Sequence, residues 1–364
     1  MAPTGAARSD GGRADRFGVY LHVPFCPGGF ATWDDRGRLV AAYVDGLRRE
    51  IEAAVAAGLP TATTVFLGGG TPSLLTPGQV AALLADLPLA TGVEVTLECN
   101  PDTVAVATLA GYRAAGVTRV SLGAQSLVGH VLGALGPSHD PDSVQRAVAA
   151  VTAVGFGSFN LDLVYGAVGE SVGDWRATLD ATVALQPPHV SAYALTVEPG
   201  TPLAARPDRH PDPDDQADKY LLAEAVLGEA GLANYEISSW ARPGHECRHN
   251  LGYWSQGDYR GFGCAAHSHH GGRRWWNVRT PERYLARLAG GRSVAAGGEV
   301  LGPVERRLEA LQLALGTRAG VPAHALAAAD LAELDGLVEV EGGRATLTVA
   351  GRLLANEVAH RLRA

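Results

Sequence analysis

Gly18-Val19-Tyr20-Leu21-His22-Val23 and Thr63-Thr64-Val65-Phe66-Leu67 are two short runs of aliphatic, aromatic and β-branched residues, and the chain between them reads as a helix. Leu39, Val40, Tyr43, Val44, Leu47, Ile51 and Val55 fall on one face of that helix. The unit then repeats. Further runs at Glu94–Glu98, Arg119–Gly123, Phe159–Tyr165 and Val190–Leu195 are each followed by helix-period sequence. Thr76-Pro77-Gly78-Gln79 opens one helix with a cap threonine, a proline at the first helical position and a glutamine three residues after the cap. Another helix, from about Thr103 to Ala115, stops at Gly116. Strand-then-helix units in series predict a parallel sheet buried on both faces. With no Rossmann glycine fingerprint, the expectation is α/β: an incomplete (β/α)6 barrel over residues 17–232 and not an open doubly wound sheet.

The pattern changes after the Pro/Asp-rich segment Arg206–Asp215 and a helix ending near Gly231. Residues 233–300 are rich in Trp, His, Gly and Arg and read as loop-heavy. A helix follows from Pro303. Leu337–Val340 and Ala345–Val349 then flank Glu341-Gly342-Gly343 as a hairpin. Residues 301–364 are therefore expected to form a smaller α+β, winged-helix-like region.

Composition bounds the function. In 364 residues, 46% are hydrophobic and 19% charged, which supplies a core and excludes global disorder. The net charge of −8 argues against a general nucleic-acid or anionic-membrane binder. Lys219 is the one lysine among 30 basic residues, and the arginine excess reads as compositional bias. The uncharged stretch Ala53–Ala85 is interrupted by Pro60, Pro72, Pro77 and three glycines, so it does not read as a membrane span. Residues 1–16 lack an apolar segment and read as a disordered tail and not a signal peptide. Cys26, Cys99, Cys247 and Cys264 form no C-x-x-C pair, so no disulfide framework is expected. The expected location is cytoplasmic.

In a barrel of parallel strands, functional groups gather at the strand C-terminal ends. In chain order those ends are Tyr20 to Cys26, Gly68-Gly69-Gly70-Thr71-Pro72, Glu98-Cys99-Asn100-Pro101, Gln125-Ser126, Asp162 to Gly166 and the segment around Thr196. The triple glycine permits close backbone approach but lacks the G-K-[ST] of a phosphate loop.

This ordered set, Y-L-H-V-P-F-C, then G-G-G-T-P, E-C-N-P-D, G-A-Q-S and N-L-D-L-V-Y-G, resembles the radical S-adenosylmethionine (SAM) family of oxygen-independent coproporphyrinogen oxidases and their relatives. Cys247-Arg248-His249-Asn250-Leu251-Gly252-Tyr253-Trp254 resembles the H-N-x-x-Y-W signature of the HemW heme-chaperone branch, and so do Gly261-Phe262-Gly263 and Arg274-Trp275-Trp276-Asn277. The resemblance implies a [4Fe–4S] cluster on three cysteines spaced C-x3-C-x2-C, with one open iron that chelates SAM. It implies SAM contacts from Tyr20, Gly69, Gly70 and Thr71, from Glu98, Gln125 and Asp162, and more weakly from Thr196. It implies heme as cargo, with His249 as the heme ligand, a heme-associated segment over 233–300, and heme-accepting partners such as cytochromes, including at a membrane. No nucleic-acid partner is implied, and the oligomeric state is left open.

The chain departs from this pattern at the cluster. The family places eight residues between the first cysteine and a phenylalanine; here only Pro27, Gly28 and Gly29 separate Cys26 from Phe30. The missing residues are the ones that would hold the other two cluster cysteines, which leaves Cys26 as the sole cluster cysteine. Cys99 should point away from the mouth as the neighbour of Glu98 on a strand, and Cys264 is distant in sequence. Pro137 also stands where the family carries a SAM-contacting arginine. Two losses at one site argue against radical chemistry in this chain. Phe30, where true oxidases carry a further cysteine, and the short segment before Tyr20 favour the heme-chaperone branch. His267, His269 and His270 read as structural or pocket-lining and not as a metal cluster. The leading expectation is a heme-binding chaperone on a radical SAM scaffold. The alternatives are a coproporphyrinogen oxidase-like radical SAM oxidoreductase, and an inactive copy or a fault in the sequence.

Overall fold

The computed structural model describes residues 16–26, 33–136 and 140–363. The tail up to residue 15, the Pro27–Phe30 segment and Pro137 lie outside the described residues. Six parallel strands form the centre: β1 (Phe17–Val23), β2 (Ala62–Gly69), β3 (Leu89–Cys99), β4 (Arg119–Gln125), β5 (Ser158–Tyr165) and β6 (His189–Ala194), neighbours in that order. They make an incomplete (β/α)6 barrel. Alternation sets the layers. On β1, Val19, Leu21 and Val23 are buried against the helices, while Tyr20 and His22 face the lumen.

The Trp33–Ala56 helix packs Val40, Tyr43, Val44, Leu47 and Ile51 into that outer layer. Each such side chain contributes about 1.5–3 kcal/mol on burial. The Pro77–Ala85 helix carries the expected cap: the Gln79 N–H donates to Thr76 Oγ1 at 3.2 Å and the Thr76 N–H to Gln79 Oε1 at 2.8 Å.

Residues 233–300 are β-rich where the sequence read as loop-heavy. β7 (Ala233–Glu236) and β8 (Ser239–Ala241) close on β6 in antiparallel fashion. β9 (Asp258–Phe262) pairs parallel with β1, placing Phe262 opposite Leu21, and β10 (His267–His270), β11 (Arg273–Asn277) and β12 (Ala295–Val300) continue antiparallel from it. All belong to one 12-stranded sheet. The reading failed there because these strands are short and their pairing with β1 is remote in sequence.

β13 (Val321–Pro322), β14 (Val338–Glu341) and β15 (Arg344–Leu347) form a second sheet in the order β13-β15-β14. Its residues Val321 and Ala345 pack with Leu315, Leu326, Leu334 and Val358 in a separate apolar cluster. No helix among the described residues is long and apolar enough to cross a membrane.

Candidate functional site

The barrel mouth is built from the ends of β1 to β5. After β1 the chain runs to Cys26, which is exposed. The Gly70 N–H donates to the Val23 carbonyl at 2.8 Å and the Thr71 N–H to the Phe25 carbonyl at 2.7 Å, so the glycine loop is laced to the segment before Cys26. A Cβ at Gly70 would stand 2.5 Å from the Phe25 oxygen, which is why glycine is needed there. Gly69 has φ +117 and gives its N–H to Glu98 Oε2 at 3.1 Å. Glu98 faces Tyr20 and Asp162 across the lumen. Asp162 accepts from Ser121 Oγ at 2.7 Å and from Asn160 Nδ2 at 2.8 Å. Gln125 ends β4 at φ +60, beside an irregularity in the β4–β5 pairing.

Thr71 is buried beside the glycine loop. Thr196 is exposed, donating to the Ala194 carbonyl at 3.3 Å. The structure thus gathers Tyr20, Gly69, Glu98 and Asp162 most closely, with Gly70 and Thr71 holding the loop and Thr196 outside the group.

Burial, then the charge of Asp162, push the Glu98 carboxyl up to about 8 against its usual 4.5, with the Gly69 N–H opposing. The folded protein therefore holds a proton that the unfolded chain releases between those values. This contribution to stability is present at low pH and is lost as pH rises through about 8. A Glu98→Gln variant, neutral throughout, should gain melting temperature relative to the parent as pH moves from 5 to 9. Thermal melts across that range check this; a parent–variant difference independent of pH would reject the coupling.

His249 sits at the other end of the lumen, on the Arg248–Trp254 helix beneath the N-terminal ends of the strands. It is buried, with Nδ1 2.9 Å from Thr64 Oγ1 and Nε2 2.8 Å from Tyr253 Oη. Its ring stacks on Phe66 at 5.3 Å. Burial lowers its pKa to about 3, so the ring is neutral. Glu94 accepts from the Arg248 and His249 N–H groups and anchors the start of that helix. In this geometry both ring nitrogens are engaged within the protein, and His249 plugs the barrel floor.

A polar chain links the two ends: Asp162 to Asn160, Asn160 Oδ1 to His189 Nδ1 (2.7 Å), and His189 Nε2 to Tyr235 Oη (2.7 Å), which accepts the Cys247 N–H. Sequence reasoning missed His22, Glu94, His189 and Tyr235. Strand alternation carried a signal for His22, which shares the lumen face with Tyr20 and lies 3.1 Å from its hydroxyl. The other three face the lumen through pairings remote in sequence.

The cysteines do not fit a three-thiolate cluster. Cys99 is buried behind the mouth, with its Sγ 3.7 Å from the Leu97 carbonyl. Cys247 lies on the barrel floor near Glu94. Cys264 is buried and takes a hydrogen bond from Tyr43 Oη at 3.5 Å. The three histidines of β10 also diverge. His267 stacks on Trp276, His269 is buried with Nδ1 3.0 Å from the Gly257 carbonyl, and His270 is exposed.

The sequence model of the Radical SAM superfamily matches residues 24–182. A Mycobacterium tuberculosis protein named heme chaperone HemW is 44% identical over 369 aligned residues, covering 95% of this chain and 94% of the relative. The Escherichia coli protein of the same name is 39% identical over 260 residues, covering 68% and 69%. Among solved structures, the radical SAM coproporphyrinogen III oxidase HemN of Escherichia coli superposes with TM-score 0.82 at 21% identity, over 96% of this chain and 90% of that one; at this identity the likeness is one of fold.

Proposed function

Because the chain belongs to the HemW family of heme chaperones, on a radical SAM scaffold, we propose that it binds heme and hands it to acceptor proteins, cytochromes among them, without radical chemistry of its own. Near full-length likeness to the Mycobacterium tuberculosis relative bearing that name carries the reading. Membership of the radical SAM family implies SAM and a [4Fe–4S] cluster. This chain's cysteines do not supply the three thiolates, so no step is assigned to a cluster here. The coproporphyrinogen oxidase reading requires that cluster and is the weaker of the two.

The mouth residues Tyr20, Glu98, Gln125 and Asp162 are proposed as remaining contacts for the ribose and amino-acid parts of SAM, with Gly69, Gly70, Thr71 and Thr196 as backbone contacts. A cytoplasmic place of action, with delivery to membrane-bound or soluble acceptors, belongs to the same proposal. The test is direct. Hemin added to the purified full chain should give a protein-bound Soret band, and mixing with an apocytochrome should move the heme to the acceptor. A spectrum unchanged from free hemin would overturn the proposal.

A further inference from the structure

A cleft of about 870 Å3 opens where the Arg248–Trp254 helix, the Pro303–Leu315 helix and the β13–β15 pair meet. Pro303, Arg307, Ala310 and Ala314 recur at intervals of three and four, so one face of the second helix lines the cleft, and its alanines leave the space open. Trp254, Leu311 and Val321 supply apolar wall.

The charge of the cleft is one-sided. Arg16, Arg306, Arg307 and Arg344 line it, and no aspartate or glutamate does. All four arginines are exposed. The chain as a whole carries a net charge of −8, and exposed arginines elsewhere, such as Arg48, Arg176, Arg206 and Arg318, each hold a carboxylate. Among the described residues the four cleft arginines have no such ion pair. The acidic side chains of the same helix are used elsewhere: Glu305 accepts the Gly302 N–H at the helix start, and Glu309 is turned to Arg274 and Gln256. Guanidinium groups left without carboxylates around an apolar wall match a ligand with acidic groups beside an apolar stripe. A bilayer surface is flat and does not enter a concavity, and the net charge opposes approach to an anionic one. A protruding polypeptide segment can enter. The 13-residue helical wall is about 20 Å long, enough for three to four turns of a partner helix to lie along it.

The cleft also abuts the helix that carries His249, the heme ligand implied by the family resemblance. Gln256, held at φ +53 just after that helix, donates from Nε2 to the Arg306 carbonyl at 3.1 Å and so ties the two walls together.

We infer that the heme acceptor docks in this cleft through an acidic amphipathic segment, its apolar side against Trp254, Leu311 and Val321 and its carboxylates on the four arginines. The inference rests on the heme-carrying function proposed above and adds the place and chemistry of the protein partner.

The probe is a fluorescein-labelled helical peptide with leucines along one face and glutamates beside them, titrated with the full chain and followed by fluorescence anisotropy. The parent should bind it, less tightly as salt rises. A peptide with lysine in place of each glutamate should not bind. The double variant Arg306→Glu, Arg307→Glu should weaken binding about tenfold or more, and so should Ala310→Trp, which fills the cleft without changing its charge. Thermal melts should show both variants folded like the parent. With hemin-loaded chain and an apocytochrome, excess peptide should slow delivery and leave the Soret band of the loaded chain unchanged. No peptide binding by the parent, or parental binding by both variants, overturns the inference. Capture of phosphatidylserine vesicles that the double variant abolishes, with peptide binding unaffected, overturns it in favour of a membrane. A peptide that binds but leaves delivery untouched removes the acceptor as the occupant. Peptide binding is read without heme, so a parent that takes up hemin but ignores the peptide sinks this inference alone; a parent that takes up no hemin sinks the functional proposal and the acceptor assignment with it.

Discussion

Anaerobic reconstitution of the chain with iron and sulfide should leave it essentially without a cluster. The same chain with five residues inserted between Cys26 and Phe30, restoring C-x3-C-x2-C, should take up about four irons. A cubane that keeps one iron open needs three thiolates converging within a few ångströms, and the thiolate is the ligand. Cys26 is exposed and available, and the other three cysteines are each spent elsewhere. Burial holds the Cys99 thiol far above its usual range and pushes Cys247 up to about 11, with the Arg119 charge only partly offsetting the second. Cys264 is likewise raised by burial, although its Tyr43 contact works the other way. Drawing Cys99 or Cys264 to the mouth would take either out of the apolar core, and Cys247 stands at the far end of the lumen beside Tyr235. Iron and sulfide analysis with EPR of the dithionite-reduced sample decides the matter. A reduced-cubane signal from the unaltered chain would refute the claim, and failure of the insertion variant to gain iron would show that more than spacing has been lost.

The parts of this molecule that were legible in the sequence are those whose information is local. The face of β1 to β6 that lies under the helices is apolar and buried, so the strands stand out as apolar runs, and Thr76 and Gln79 announce a helix start within four residues. The mouth was legible because Glu98 and Gln125 stand where apolar runs give way to polar residues. The floor was not. His249 and Tyr253, four apart, share one helical face, and that spacing was a usable sign that the ring is held from below by its own helix. Glu94 begins the apolar run read from the sequence although β3 itself starts at Leu89, and His189 is the first residue of β6; at such positions a polar residue reads as the end of a loop. The β9–β12 ribbon escaped notice because Arg260, His270 and Arg273 take alternate positions in its strands. An outward face of arginine and histidine hides the period-two pattern until β1 supplies the partner.

Lys219→Met should destabilise the protein by about 3–5 kcal/mol at pH 7, the usual consequence of removing one partner from a buried ion pair. The chain uses arginine almost everywhere, and its single lysine stands where a compact ammonium is required. Lys219, fully buried on the Pro213–Glu229 helix, donates from Nζ to the Glu170 carbonyl at 2.8 Å and to Asp215 Oδ2 at 2.6 Å, with Glu170 Oε2 3.2 Å away. Glu170 Oε2 also accepts the Gly166 N–H at 2.6 Å, while Oε1 is buried without a partner. The pair thus pins the turn after β5, the strand that carries Asp162, to the outer helix layer. Burial already raises the Glu170 pKa against the pull of the Gly166 N–H and of Lys219, and loss of the ammonium raises it further. The variant's deficit should therefore shrink as pH falls and Glu170 takes a proton. A Lys219→Met, Glu170→Gln double variant should recover part of the loss at pH 7, since no unpaired charge remains inside. Lys219→Arg should also cost about 1–3 kcal/mol, because the larger guanidinium overfills the site. Urea unfolding of the four proteins at pH 5 and 7 measures each term, and a Lys219→Met loss below 1 kcal/mol at pH 7 would mean that the ammonium contributes no more than an apolar side chain of its size.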